Sequence, residues 1–109
     1  MTKVVIYKDG KHITGIECDG HTGYGAEGED IVCAALSSIV QTAVLGVLQV
    51  AKIDAAYEVN EKKAYLKLTL PRGLQEERRH DAGVILDTMF LGISDLYQSF
   101  SDFIELEVK

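Results

Sequence analysis

The sequence predicts an α+β fold with the element order β-β-α-β-β-α-β, in which a largely antiparallel sheet packs with two helices. Three observations carry that expectation: two pairs of strand-like runs joined by short polar turns, two long segments with helical apolar spacing, and a closing alternating run, FIELEV. At 109 residues, 47% hydrophobic and 26% charged with a single proline, the chain can bury one core and is read as a single domain, residues 1–109.

Residues 3–8 (KVVIYK) and 12–18 (HITGIEC) are β-branched runs on either side of an Asp9-Gly10 turn, which signals a tight hairpin. Residues 31–51 carry apolar side chains almost all round a helix, so this helix is expected to be central or to form half of a dimer seam. A second strand pair is expected over 53–59 and 63–70 around Asn60-Glu61-Lys62, with Ala64, Leu66, Leu68 and Leu70 on one face. Pro71 to Gly73 break that strand, and an amphipathic helix follows over about 75–98. Residues 103–108 alternate as the final strand.

A formal net charge of −6 excludes a surface built to neutralise phosphates, so no nucleic-acid partner is expected. Arg78 and Arg79 follow Glu76 and Glu77 and read as a solvated face. The N-terminal run lacks a long apolar core and a small-residue cleavage site, which predicts a cytoplasmic protein without a membrane partner and makes Cys18 and Cys33 thiols rather than a disulfide. His12 and His80, isolated in polar stretches, read as surface residues.

The functional question lies in GHTGYGAEGEDIVC, residues 20–33. Its GYGAEG string matches a dinucleotide fingerprint, but the preceding strand is hairpin-paired rather than part of a parallel crossover unit, and Glu27, Glu29 and Asp30 would meet a pyrophosphate. A zinc site could draw on Cys18, His21 and Cys33 with Asp30, although a small buried hydrophobe on a strand is the commoner fate of a cysteine such as Cys18. A thiol enzyme needs an activated cysteine, a nearby base and backbone donors. With Asp30 as N-cap, Cys33 would stand at the third helical position, where the helix N-terminus favours a thiolate. Gly23, Gly25 and Gly28 would let the loop bring His21 back to it. Asp30 could cap the helix, orient the imidazole, or do both; Ser37, one turn beyond Cys33, could reach the site or bond to the helix backbone.

GHTGYGAEGEDIVCAALSSIV resembles the signature of the ribosomal-processing cysteine protease family, Prp: a Gly-His, a glycine-rich loop and Asp-Ile-Val-Cys-Ala-Ala in that order. The opening hairpin, the apolar helix and LDTMFLGISDLYQSF followed by FIELEV extend the resemblance over essentially the whole chain. It implies a homodimeric cytoplasmic endopeptidase, without metal or cofactor, that removes an N-terminal extension from the precursor of bacterial large-subunit ribosomal protein twenty-seven. It also implies His21 and Cys33 as the catalytic pair, supported by Gly20, Asp30 and Ser37. The rival expectation is a noncatalytic, ribosome-associated binding module, with or without a stabilising zinc ion.

Overall fold

The two N-terminal alternating runs form β1 (Thr2–Asp9) and β2 (His12–Asp19), an antiparallel hairpin in the computed structural model, which describes residues 1–20 and 29–109 with the side chains of residues 29 and 30 left aside. Gly10 begins the two-residue turn with φ at 61°, a conformation that glycine adopts without steric cost. The register shifts between Tyr7 and Lys8, where β2 carries one extra residue. This bulge lets Ile13 and Ile16, three positions apart, both face the core.

Strand β4 (Tyr65–Thr69) pairs antiparallel with β2, and β3 (Ala56–Asn60) pairs antiparallel with β4. Strand β5 (Ile104–Val108) joins β1 in parallel, completing a five-stranded sheet ordered β3-β4-β2-β1-β5. Helices α1 (Glu29–Leu45) and α2 (Glu76–Ser99) lie on one face. Val4, Ile6, Ile16, Leu68 and Ile104 from the sheet meet Val32, Leu36 and Val40 of α1 and Leu86 and Ile93 of α2 in one hydrophobic cluster. Each such side chain contributes about 1.5–3 kcal/mol through burial.

The element order is the one the sequence predicts; two details differ and one is added. The first helix ends as a wide π turn over Gly46–Val50, beginning at its least helix-favouring residue, and the Ala51 N–H reaches back to the Gly46 carbonyl. The third strand starts at Ala56 rather than residue 53, because Ile53 is anchored in the core and its N–H bonds the Val47 carbonyl at 3.0 Å. Its β-branched side chain reads as strand but serves as a plug beneath the helix end. Arg78 is exposed, as its solvated reading expects, and in addition donates from Nη1 to the carbonyls of Ala51 (2.9 Å) and Lys52 (2.6 Å), tying α2 to the end of the first helical run. These last carbonyls have no continuing helix to satisfy them, so a guanidinium is suited to the position.

Candidate active site

Helix α1 buries Val32, Leu36 and Val40. The stripe beside them, at i, i+4 and i+8, consists of Cys33, Ser37 and Gln41, and all three line a groove of about 390 Å³. The Gln41 amide donates to Ser37 Oγ at 2.7 Å, knitting the stripe together. Cys18 and Leu66 form part of the groove's sheet side, while Val59, Asn60 and Glu61 wall its far end. Asn60 Oδ1 accepts the Lys63 N–H at 3.2 Å and shapes the β3–β4 turn.

Thr2 completes the surroundings of Cys33. Its Oγ1 stands 3.2 Å from Cys33 Sγ, linking residues 31 apart in sequence, and its residue is 5% exposed. The Thr2 N–H donates to the Phe103 carbonyl at 3.0 Å, so its backbone is fixed where β1 and β5 begin. Gly20 presses on the same point: a Cβ built there would lie 2.6 Å from the Met1 carbonyl oxygen and 2.8 Å from Thr2 Cα. Its φ of 146° belongs to a region that side chains avoid. The Gly20 N–H also donates to the Ala64 carbonyl at 3.3 Å. The backbone leading into His21 is therefore held beside the threonine that touches Cys33.

Cys18 lies on β2 opposite Val4 and Leu66 and packs against the core. Burial, followed by the neighbouring Cys33 and Glu17, pushes its thiol up to about 12, so at neutral pH it is a protonated, weakly polar packing group. Among the described residues no three His, Cys, Asp or Glu side chains gather to hold a metal.

The structure thus brings Gly20, Cys33 and Ser37 of the predicted site residues to one groove. His21 and the loop glycines Gly23, Gly25 and Gly28 lie outside the described residues. For Asp30 the expectation needs correction: Glu29 is already helical, so Asp30 lies inside α1 rather than capping it, and Cys33 stands beyond the third helical position. Glu29 and Asp30 are both carboxylates that suit a first turn, and their order alone does not say which starts it. Ser37 Oγ accepts a hydrogen bond from Gln41, a partner absent from the sequence expectation. Thr2 was missed as well. Its signal was its phase: Thr2, Val4 and Ile6 alternate onto the buried face, and a hydroxyl in that series calls for a partner.

A cysteine thiol on a helix, lining a groove and touching the threonine against which Gly20 packs, suits a thiol peptidase. The family model described as cysteine protease Prp matches residues 1–105. The chain belongs to the Prp family of cysteine proteases. A Bacillus subtilis relative, the ribosomal processing cysteine protease Prp, is 26% identical over 92 residues, covering 84% of this chain and 82% of its own. A Prp from Staphylococcus aureus (strain Mu50) is 24% identical over 108 residues, covering 97% and 95%. The crystal structure of Prp from S. aureus in complex with a substrate peptide superposes with a TM-score of 0.87 over 100% of both chains, at 21% identity. A Streptococcus mutans structure gives a TM-score of 0.86 at 23% identity, covering 99% of this chain and 93% of its own. The Prp fold is thus conserved in this chain from its opening hairpin to β5.

Proposed function

We propose that this Prp-family protein is the endopeptidase that removes the N-terminal extension of bacterial large-subunit ribosomal protein twenty-seven during ribosome maturation, with Cys33 as nucleophile and His21 as its proton partner. The observation that carries the reading is the placement of Cys33 in the groove, bonded to Thr2, while Gly20 packs on that same threonine. His21 is the next residue after this anchor. The named relatives are ribosomal processing proteases, and an acidic enzyme suits a basic ribosomal substrate.

The chemistry follows from the thiol. His21 takes the proton of Cys33, and the thiolate attacks the scissile carbonyl, forming a C–S bond and a tetrahedral oxyanion. Backbone N–H groups of the loop and the helix start stabilise that oxyanion. Collapse breaks the C–N bond as the imidazolium gives its proton to the departing amine, and water then hydrolyses the thioester, releasing the second product and restoring the thiol. Asp30 orients the imidazole in this scheme, and Ser37 with Gln41 borders the groove.

The protein acts as a cytoplasmic homodimer in this reading. The run Ile31–Val50 is long and apolar enough to cross a membrane, yet one side of it is core and only 33% of it is buried within the fold. Val50 and Val84 remain 79% and 54% exposed beside an apolar groove of about 720 Å³ between the helices. A second copy of the chain covers that surface.

Incubation with the extended ribosomal protein tests the assignment. Wild-type protein shortens the substrate; Cys33→Ala and His21→Ala leave it intact, and Cys18→Ala retains cleavage. Precursor binding without cleavage by the wild type would favour a noncatalytic module, and stoichiometric, chelator-sensitive zinc in purified protein would favour the metal-stabilised version.

A further inference from the structure

We infer that Thr2 is a positioning residue for the nucleophile: its hydroxyl donates to the Cys33 thiolate, fixing the direction of Sγ and holding the reactive ionised form. This rests on the assignment of Cys33 as the attacking group. The 3.2 Å contact joins the first residue of β1 to the second turn of α1, elements that meet only through the tertiary fold.

Ionisation of Cys33 fixes the sense of the bond, because a thiolate can only accept. A thiol is a weak hydrogen-bond partner, whereas a thiolate accepts a hydroxyl proton strongly. Thr2 is 5% exposed, so little water competes, and a buried hydroxyl without a good acceptor would be unfavourable there. Valine would fill the same volume and suit a strand start better, so the position gains nothing in packing from the hydroxyl. Its polarity is useful only toward a polar partner, and Cys33 Sγ occupies hydrogen-bond range.

Rigidity supports the same role. The Thr2 backbone is bonded to Phe103 on one side and pressed by Gly20 on the other, and its β-branched side chain has few rotamers. The hydroxyl is therefore held in a direction set by the sheet. The titratable groups that share the groove with Cys33, among the described residues, are Cys18 on β2, Glu61 in the β3–β4 turn and Tyr65 on β4. None of the three can carry a positive charge to a thiolate; among the described residues the threonine hydroxyl is the neutral group in hydrogen-bond range of it.

The test compares Thr2→Val, Thr2→Ala and Thr2→Ser with wild type in two assays: the rate of Cys33 alkylation by iodoacetamide at neutral pH, in a Cys18→Ala background, and steady-state cleavage of a precursor peptide. Loss of the hydroxyl in Thr2→Val lowers the alkylation rate and kcat about tenfold with KM within about twofold, as expected for a lost charge-assisted bond. Thr2→Ser restores both rates, and Thr2→Ala supplies the hydroxyl-free comparison where the valine is poorly accommodated. Wild-type alkylation and kcat in Thr2→Val and Thr2→Ala, or a Thr2→Ser as impaired as Thr2→Val, would overturn the inference. Cleavage surviving in Cys33→Ala would instead remove the underlying assignment, while the alkylation series still reads the Thr2–Cys33 bond.

Discussion

At the scale of single residues, the site depends on contacts that tolerate little change. Gly20→Ala places a methyl group within 2.8 Å of both the Met1 carbonyl oxygen and Thr2 Cα, in a backbone region that alanine avoids. It is expected to lower stability by about 1–3 kcal/mol in urea unfolding. Because the strain falls on Thr2, cleavage should drop further than the unfolded fraction explains. A second cluster, on β1, β2 and β4, sets a pH dependence. The Glu17 carboxylate accepts the hydroxyls of Tyr65 (2.6 Å) and Tyr7 (2.7 Å) and is held below its ordinary value, first by Tyr65 and then by Tyr7. The bond to Glu17 raises the Tyr65 phenol to about 12 from an ordinary 10.0. The folded state therefore keeps the Tyr65 proton where the unfolded chain releases it, so this stabilisation is complete below about pH 10 and lost as pH rises toward 12. The Glu17 contribution has the opposite sense: it is present above the ordinary carboxylate value and lost as acid protonates the folded form. Urea midpoints measured from pH 9 upward should fall more steeply for wild type than for Tyr65→Phe.

At the scale of elements, the hairpin and helices were legible because each has its own period and its own punctuation. Gly10 sets the first turn, and Leu66 and Leu68 alternate correctly into the core. Local pattern failed where tertiary contact overrides it: Ile53 looks like strand and is a core anchor, and the two carbonyls that the exposed Arg78 bonds carry no signal in its neighbourhood. In the site, the motif made Cys33 and Gly20 legible, whereas the partnership of Thr2 with Cys33 was not, because no local spacing relates residues that far apart. The central pairing of Ile16 with Leu68, both fully buried, joins the two hairpins beneath the helices. Leu68→Ala should cost about 2–5 kcal/mol in urea unfolding, near the upper part of that range if the rigid sheet does not close over the cavity. A loss under 1 kcal/mol, on the order of a well-tolerated core swap, would contradict the packing described here.

At the scale of the whole molecule, one face of the sheet is covered by two helices that leave an apolar groove beside the exposed Val50 and Val84, and the groove with Cys33 opens at the sheet end where β1 begins and β2 finishes. Sedimentation equilibrium at micromolar protein should therefore give a dimer, with Val50→Asp and Val84→Asp shifting it toward monomer; a wild-type monomer under those conditions would contradict the assembly. Whether Cys33 is the nucleophile is read most directly by mass spectrometry of the extended ribosomal protein after incubation with wild-type enzyme and with Cys33→Ala. A single shortening at the N-terminus is expected with wild type and none with the variant. Equal shortening by Cys33→Ala would contradict that role.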